Sequence, residues 1–267
     1  MTQVLLREDA EGIATLTMNS PETLNALSDA MLEAMDETFQ ALAQDGSVRV
    51  VVLRGAGRAF CAGHHLKEMQ AGRQAPDGGR AYFADLFARC AAVMQRIPQL
   101  PQPVIAQVHG IAAAAGCQVV ASCDMVVAGE GARFGTNGVN IGLFCSTPMV
   151  ALTRAVPPKI AFEMLTTGEF VDAHRAREIG LVNRVVPQDG LEDETRALAR
   201  TLTAKLGAAV RIGKRAFYDQ IGLPLAAAYD HTAAVMVENM LWRDTQEGIS
   251  AFLDKRRPDW SAQGGPH

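Results

Sequence analysis

The stretch Val104-Ile-Ala-Gln-Val-His-Gly-Ile-Ala-Ala-Ala-Ala-Gly-Cys-Gln-Val-Val-Ala-Ser-Cys-Asp-Met-Val-Val127 decides how this chain folds. It is the most apolar part of the sequence, and two readings compete for it. A bilayer span needs roughly 20 nearly uninterrupted apolar residues. Here Gln107, His109, Gln118 and Asp124 break the run, and much of the rest is alanine and glycine. The stretch therefore reads as buried core: a strand over 104–108, a turn of small residues over 110–116 and a second strand over 125–128.

The N-terminal half mixes strands and helices. Apolar runs at 5–6 and 13–18 flank Glu8-Asp-Ala-Glu-Gly12, which reads as a hairpin. Ser28 is placed to cap a helix whose Met31, Leu32, Met35, Phe39 and Leu42 share one face. A buried strand over 48–53 follows and runs into a glycine-rich loop over 55–63. Phe83, Leu86, Phe87, Cys90, Met94 and Ile97 recur at helical spacing, and Pro98, Pro101 and Pro103 are expected to end that helix. Gly135, Gly138 and Gly142 mark an irregular loop. Beyond about residue 147 the pattern is almost wholly helical, with a helix stop at Gly180-Leu-Val-Asn183, a short strand over 184–186 and helices over 191–206, 208–221, 225–240 and 245–254. The fold class is α/β.

Composition narrows function without naming it. The chain has 267 residues, 48% hydrophobic and 20% charged, which is globular and not disordered. Twenty-five basic against 29 acidic residues give a net charge of −4, and no basic block occurs. Nucleic acid is not an expected partner, nor is a membrane. The first dozen residues carry acids and lack an apolar targeting core. Five cysteines (Cys61, Cys90, Cys117, Cys123, Cys145) without a CxxC pair point to a reducing cytoplasm.

Several motifs fail on inspection. Gly55-Ala-Gly57 follows a strand, but Phe60 stands where a dinucleotide loop needs its third glycine. Neither a Walker lysine nor a Gly-x-Ser-x-Gly elbow is present. His64-His65 lacks a further ligand at the spacing of helical zinc motifs, so it reads as two polar residues lining a loop or cleft; no metal is expected. His174 and His231 read as surface or interface residues on helices.

Taken together, the ordered segments Pro21-Glu-Thr-Leu-Asn-Ala-Leu-Ser28, Arg58-Ala-Phe-Cys-Ala-Gly-His-His-Leu-Lys-Glu-Met69, Pro103-Val-Ile-Ala-Gln-Val-His-Gly110 and Gly116-Cys-Gln-Val-Val-Ala-Ser-Cys-Asp124 resemble the crotonase superfamily, the enoyl-CoA hydratase/isomerase group. Ala132-Arg-Phe-Gly135, residues 168–183 and residues 247–258 continue the likeness, which covers nearly the whole chain. The resemblance implies a crotonase-like (ββα) superhelical spiral over 1–200 and a C-terminal helical trimerisation region over 201–267. It also implies a homotrimer or dimer of trimers, and an acyl-CoA thioester as ligand. Coenzyme A is then part of the substrate, and no separate cofactor is expected.

By the same resemblance, the backbone N–H groups of Ala62 and Ala115 form an oxyanion hole for the thioester carbonyl. Such preorganised donors stabilise the charge that develops on an enolate oxygen. Small residues let the backbone approach the ligand, and a helix beginning near Ala115–Gly116 adds its dipole. Ala115 replaces the glycine usual there, which helical φ/ψ would accommodate. Leu24, Ala26, Ala62, Gly63, His64, His65, Leu66 and Lys67 are implied to hold the CoA portion, with Lys67 near the nucleotide.

The family's hydratases use two glutamates, and this chain lacks both. Gln118 stands at the first position and Gly138 at the second. A glutamine positions water but does not shuttle protons at neutral pH, and each lost acid–base group typically costs ~10²–10⁴ in rate. His65, Cys145 and Ser146 are the alternative acid–base candidates. Three readings stay open: a hydratase or isomerase with atypical acid–base groups, another crotonase reaction such as thioester hydrolysis or decarboxylation, and a non-catalytic acyl-CoA-binding or regulatory protein.

Overall fold

Glu11 and Gly12 both take positive φ, 54° and 75°, so the chain reverses in two residues. Strand β1 (Leu5–Ala10) accordingly pairs antiparallel with β2 (Ile13–Met18) as expected. The computed structural model describes residues 3–260. Ser28 Oγ accepts the Met31 N–H at 3.1 Å and opens α1 (Asp29–Gln44), which buries all five predicted apolar residues.

Strand β3 (Val50–Gly55) explains its own unbroken apolar run. Val51 and Leu53 face the main core with α1, while Val50 and Val52 face a second cluster built with Leu191, Leu198 and Ala199 of α8 (Leu191–Thr203). A parallel strand covered on both faces needs apolar residues at every position. With β4 (Val104–Val108), β6 (Met125–Gly129) and β9 (Arg184–Val186) it completes a six-stranded sheet of order β1-β2-β3-β4-β6-β9, parallel from β2 onward.

The decisive stretch departs from expectation in one place. The segment 110–116 is not simply a turn: Ile111–Ala113 form β5, which pairs parallel with β7 (Arg133–Gly135), and β8 (Val171–Asp172) completes a second, three-stranded sheet. Three residues, two of them alanine, carry no strand signal of their own; the pairing partner supplies it. Helix α4 (Ala115–Ser122) follows directly. From β4 onward the strands divide between the long and short sheets, with helices interspersed, as in the expected (ββα) spiral.

The irregular loop after β7 contains a 3₁₀ turn, Asn137–Ile141. Helix α2 (Leu66–Gly72) precedes α3 (Arg80–Gln99), whose last turn contains Pro98 instead of ending before it. Helices α5 (Pro148–Ala155), α6 (Pro158–Thr167) and α7 (Ala173–Glu178) lead to β9 and α8, and α9 (Gly207–Gln220), α10 (Leu225–Met240) and α11 (Arg243–Leu253) finish the chain. Among the described residues no helix is long and apolar enough to cross a membrane.

One buried polar knot fastens α9 to the core. Lys214 Nζ donates to the carbonyls of Ile97 and Gln102, each at 2.9 Å, and pairs with Asp124 Oδ2 at 2.7 Å. Tyr218 O–H donates to Asp124 Oδ1 at 2.8 Å, and the Val104 N–H reaches Oδ2 at 2.6 Å. All three ammonium protons have acceptors. Burial pushes the Lys214 pKa down, and the Asp124 carboxylate pulls it back.

Candidate active site

Asn25 organises the first wall of the site. Its side chain is fully buried; Oδ1 accepts the Ser20 N–H at 3.0 Å, and Nδ2 donates to the Ala56 and Ala59 carbonyls, both at 2.8 Å. Leu24 and Asn25 take positive φ, 55° and 54°, which bends this segment against the loop 56–65. Asn25 lies within the family-like Pro21–Ser28 stretch, yet its organising role has no sequence signal beyond the tolerance of asparagine for that conformation.

The loop 61–65 is then held from both sides. On one side Ala62 N–H donates to Leu24 O (3.0 Å), Leu27 N–H to Gly63 O (2.8 Å) and His65 N–H to Leu27 O (3.3 Å). On the other, Cys61 N–H donates to Ile111 O (3.1 Å) and Ala113 N–H to Cys61 O (2.9 Å). Leu24 and Ala26 are thereby brought beside Ala62 and Gly63.

These bonds correct the expected oxyanion pair. The Ala62 amide is already committed to Leu24, so it has no proton to offer a ligand. Among the described residues, the amides of His64 and Ala115 donate to no protein acceptor. Gly63, at φ +94°, brings the two segments together: a Cβ built on it would lie 3.0 Å from Ala113 O and 3.4 Å from Ala115 N. Gly116 is equally tight, since its Cβ would meet Cys61 O at 2.2 Å.

Ala115 is the first residue of α4 and has negative φ, so alanine serves there without the strain that favours glycine. The strain falls one residue earlier, on Ala114 (φ 48°, ψ −115°), whose amide donates to Gly135 O at 2.8 Å. Non-glycine residues in such regions cost about 1–3 kcal/mol and cluster at functional sites. A buried amide without a partner is likewise expensive. The turn presents the N-terminus of α4, which favours negative charge.

The acid–base positions are occupied as follows. Gln118 is buried, and its Oε1 has no hydrogen-bond partner. Gly138 cannot accept a side chain without rearrangement, because a Cβ there would lie 2.3 Å from Leu143 O and 2.8 Å from Cys145 Sγ. Cys145 is buried, and desolvation raises its thiol pKa, which opposes a thiolate at neutral pH. Ser146 is exposed; its Oγ lies 3.5 Å from Phe144 O, too far for a firm bond.

His65 serves helix structure. It is the N-cap of α2, with Nδ1 accepting the Glu68 N–H at 3.3 Å. Leu66 and Lys67 are exposed on that helix. The His64 ring stands edge-on to Phe87, centroids 5.6 Å apart, and both ring nitrogens are buried without a geometric hydrogen-bond partner. Desolvation lowers its pKa below the ordinary 6.5, against weaker upward pulls from the Leu27 backbone and Asp29. Thr136, which the sequence gives no reason to single out, is fully buried with Oγ1 unpartnered.

An open groove of about 760 Å³ between the end of α3 and helices α9–α11 is lined by Pro98, Leu100, Arg211 and Trp242 and does not include the two free amides. No group of three or more His, Cys, Asp or Glu side chains among the described residues is arranged for a metal.

Residues 8–263 match the enoyl-CoA hydratase/isomerase family model. The human enoyl-CoA hydratase domain-containing protein 3, mitochondrial, is 46% identical over 251 residues, covering 94% of this chain and 81% of that protein. A crystal structure of an enoyl-CoA hydratase from Mycobacterium smegmatis superposes with TM-score 0.93 at 55% identity, over 96% of this chain and 98% of that one. The crystal structure of the human domain-containing protein 3 gives TM-score 0.91 at 44% identity, over 96% and 100%. The expectation of a cytoplasmic location is corrected here, because the human relative and its Xenopus laevis and Rattus norvegicus counterparts are named as mitochondrial proteins. Fold, ordered motifs and both kinds of comparison agree: the chain belongs to the enoyl-CoA hydratase/isomerase family of the crotonase superfamily.

Proposed function

We propose that this chain binds an acyl-CoA thioester and polarises its carbonyl between the backbone amides of His64 and Ala115, stabilising the enolate form. The observation that carries this reading is the pair of unpaired amides that Gly63 holds side by side. Two such donors aimed at one oxygen, at the positive end of a helix, suit developing negative charge. Leu24, Ala26, Leu66 and Lys67 flank the entrance and hold the CoA portion. Coenzyme A enters as part of the substrate, and no further cofactor is required.

Two-glutamate hydration does not fit the site. Gln118 carries no transferable proton at neutral pH, and Gly138 is walled in by Leu143 and Cys145. Hydration of crotonyl-CoA is therefore expected to be slow. Those same two positions favour the second reading, a non-catalytic acyl-CoA-binding protein.

Calorimetry across acyl-CoAs of varied length and branching, with products identified by mass, separates the readings. We expect binding of several members and turnover of at least one. Binding without any turnover supports the non-catalytic reading, and absence of binding overturns both.

Assembly follows from α10, which buries none of its residues within one chain while exposing Leu225, Tyr229, Met236, Val237 and Met240. An apolar face of that extent calls for a partner. The occupant proposed is a further copy of this chain in a homotrimer or dimer of trimers. Light scattering after size exclusion is expected to give three or six chain masses; a monomer at micromolar concentration would contradict this.

A further inference from the structure

We propose that the imidazole of His64 takes and returns the Cα proton of the bound thioester, in place of the absent glutamate pair. The proposal rests on the thioester reading above and adds to it the base. Only Cα and Cβ separate the His64 ring from the His64 amide, one of the two donors assigned to the carbonyl oxygen. The ring is thus tethered within one residue of that donor, packed against Phe87.

Three observations single it out. Both ring nitrogens are buried and, apart from a weak pull from the Leu27 backbone, lack partners, although buried polar groups in proteins are nearly always bonded. The other buried, unpartnered atoms nearby, Gln118 Oε1 and Thr136 Oγ1, belong to groups that do not titrate near neutrality. Gln118 lies one turn beyond Ala114, and Thr136 follows the residue that accepts the Ala114 amide. Finally, the rival carriers are engaged or unsuited: His65 caps α2 through Nδ1, and Cys145 is held as a thiol.

The groups facing His64 leave its neutral form dominant at pH 7. From α1 comes Asp29, whose carboxylate is occupied by Arg89 at 2.5 Å and lies 3.4 Å from the Tyr82 hydroxyl. From α2, Glu68 is turned to the Asp29 amide at 2.9 Å. From α3 comes the uncharged face of Phe87. Burial outweighs the Asp29 attraction and lowers the His64 pKa, as a base working near neutrality requires.

The step balances without any co-reactant. An unprotonated ring nitrogen accepts the Cα proton, and the C–H electron pair becomes the C=C bond of the enolate. The carbonyl π pair moves onto oxygen, where the two amides hold it. The imidazolium swaps that proton with solvent as the site opens and then delivers one to carbon, so the acyl group is unchanged apart from exchange of that hydrogen.

The test uses the whole protein with butyryl-CoA in D₂O, reading deuterium uptake at Cα by mass spectrometry. Wild type is expected to exchange, with rate rising through an acid limb whose midpoint lies below 6.5. His64→Gln keeps the backbone amide and should bind butyryl-CoA within a few-fold of wild type, while exchange falls by about 10²–10⁴ and the limb disappears. His64→Ala should recover part of the rate with added imidazole, which a merely structural role would not allow. Unchanged exchange in His64→Gln, or wild-type binding without exchange, overturns the proposal and leaves the thioester reading intact. Failure of wild type to bind butyryl-CoA or any other acyl-CoA overturns that reading itself.

Discussion

Lys214→Met is expected to destabilise the chain by about 3–5 kcal/mol, the usual cost of stripping one partner from a buried ion pair. The pair is well enclosed, with side-chain exposures of 6% for Lys214 and 13% for Asp124. Methionine fills the channel occupied by the lysine stem but leaves the Asp124 carboxylate with only the Tyr218 hydroxyl and the Val104 amide. The Ile97 and Gln102 carbonyls lose their donor as well. The double variant Lys214→Met/Asp124→Asn removes the orphaned charge and should regain much of the loss, since a neutral pair avoids the desolvation penalty. Urea unfolding at fixed protein concentration measures this, because assembly of copies would otherwise shift the apparent stability. A loss below about 1 kcal/mol in the single variant, the range of exposed ion pairs, would show that the knot does not fasten α9 to the core.

Gly63→Ala is the second large effect, and it acts on chemistry more than on folding. At φ +94° an L side chain is strained, and the new methyl would press on Ala113 O at 3.0 Å and Ala114 Cβ at 3.1 Å. Relief requires the His64 segment to move away from the start of α4, which separates the two amides. Removing one oxyanion donor typically costs about 10²–10³ in rate, and a misplaced donor should approach that figure. The stability cost is smaller, about 1–2 kcal/mol for left-handed backbone in an alanine. Gly46→Ala is the control, with open space around its Cβ and no positive φ. Exchange of butyryl-CoA α-protons gives the readout; a Gly63→Ala rate within a few-fold of the Gly46→Ala rate would contradict the assigned donor geometry.

The parts legible in the sequence are those whose cause is local. Ser28 and five apolar residues at helical spacing specify α1, because cap and face are written within one segment. The hairpin, β3 and the β9 strand after Gly180 are legible for the same reason. Strand β5 is not, since Ile111–Ala113 acquire strand geometry from Arg133–Gly135, some 20 residues away.

The site shows the same division more sharply. Motif order points to the loop 61–65 but not to which of its amides is unpaired. Leu24, from outside that loop, takes up the Ala62 N–H, and the Gly63 N–H is directed to the Cys61 sulfur, which leaves the His64 N–H. Neighbouring His64 and His65 look alike as letters. The start of α2 assigns one to a cap, and packing against Phe87 buries the other. Asp124 and Lys214 lie 90 positions apart, so their pairing has no local mark.

Carbon-13 NMR of [1-¹³C]butyryl-CoA tests whether the thioester carbonyl is polarised between the His64 and Ala115 amides. With the protein saturating the ligand, the carbonyl resonance is predicted to move downfield of its position in free solution. In Gly63→Ala that displacement should shrink. A fully bound thioester whose carbonyl resonates where it does in water would contradict the account.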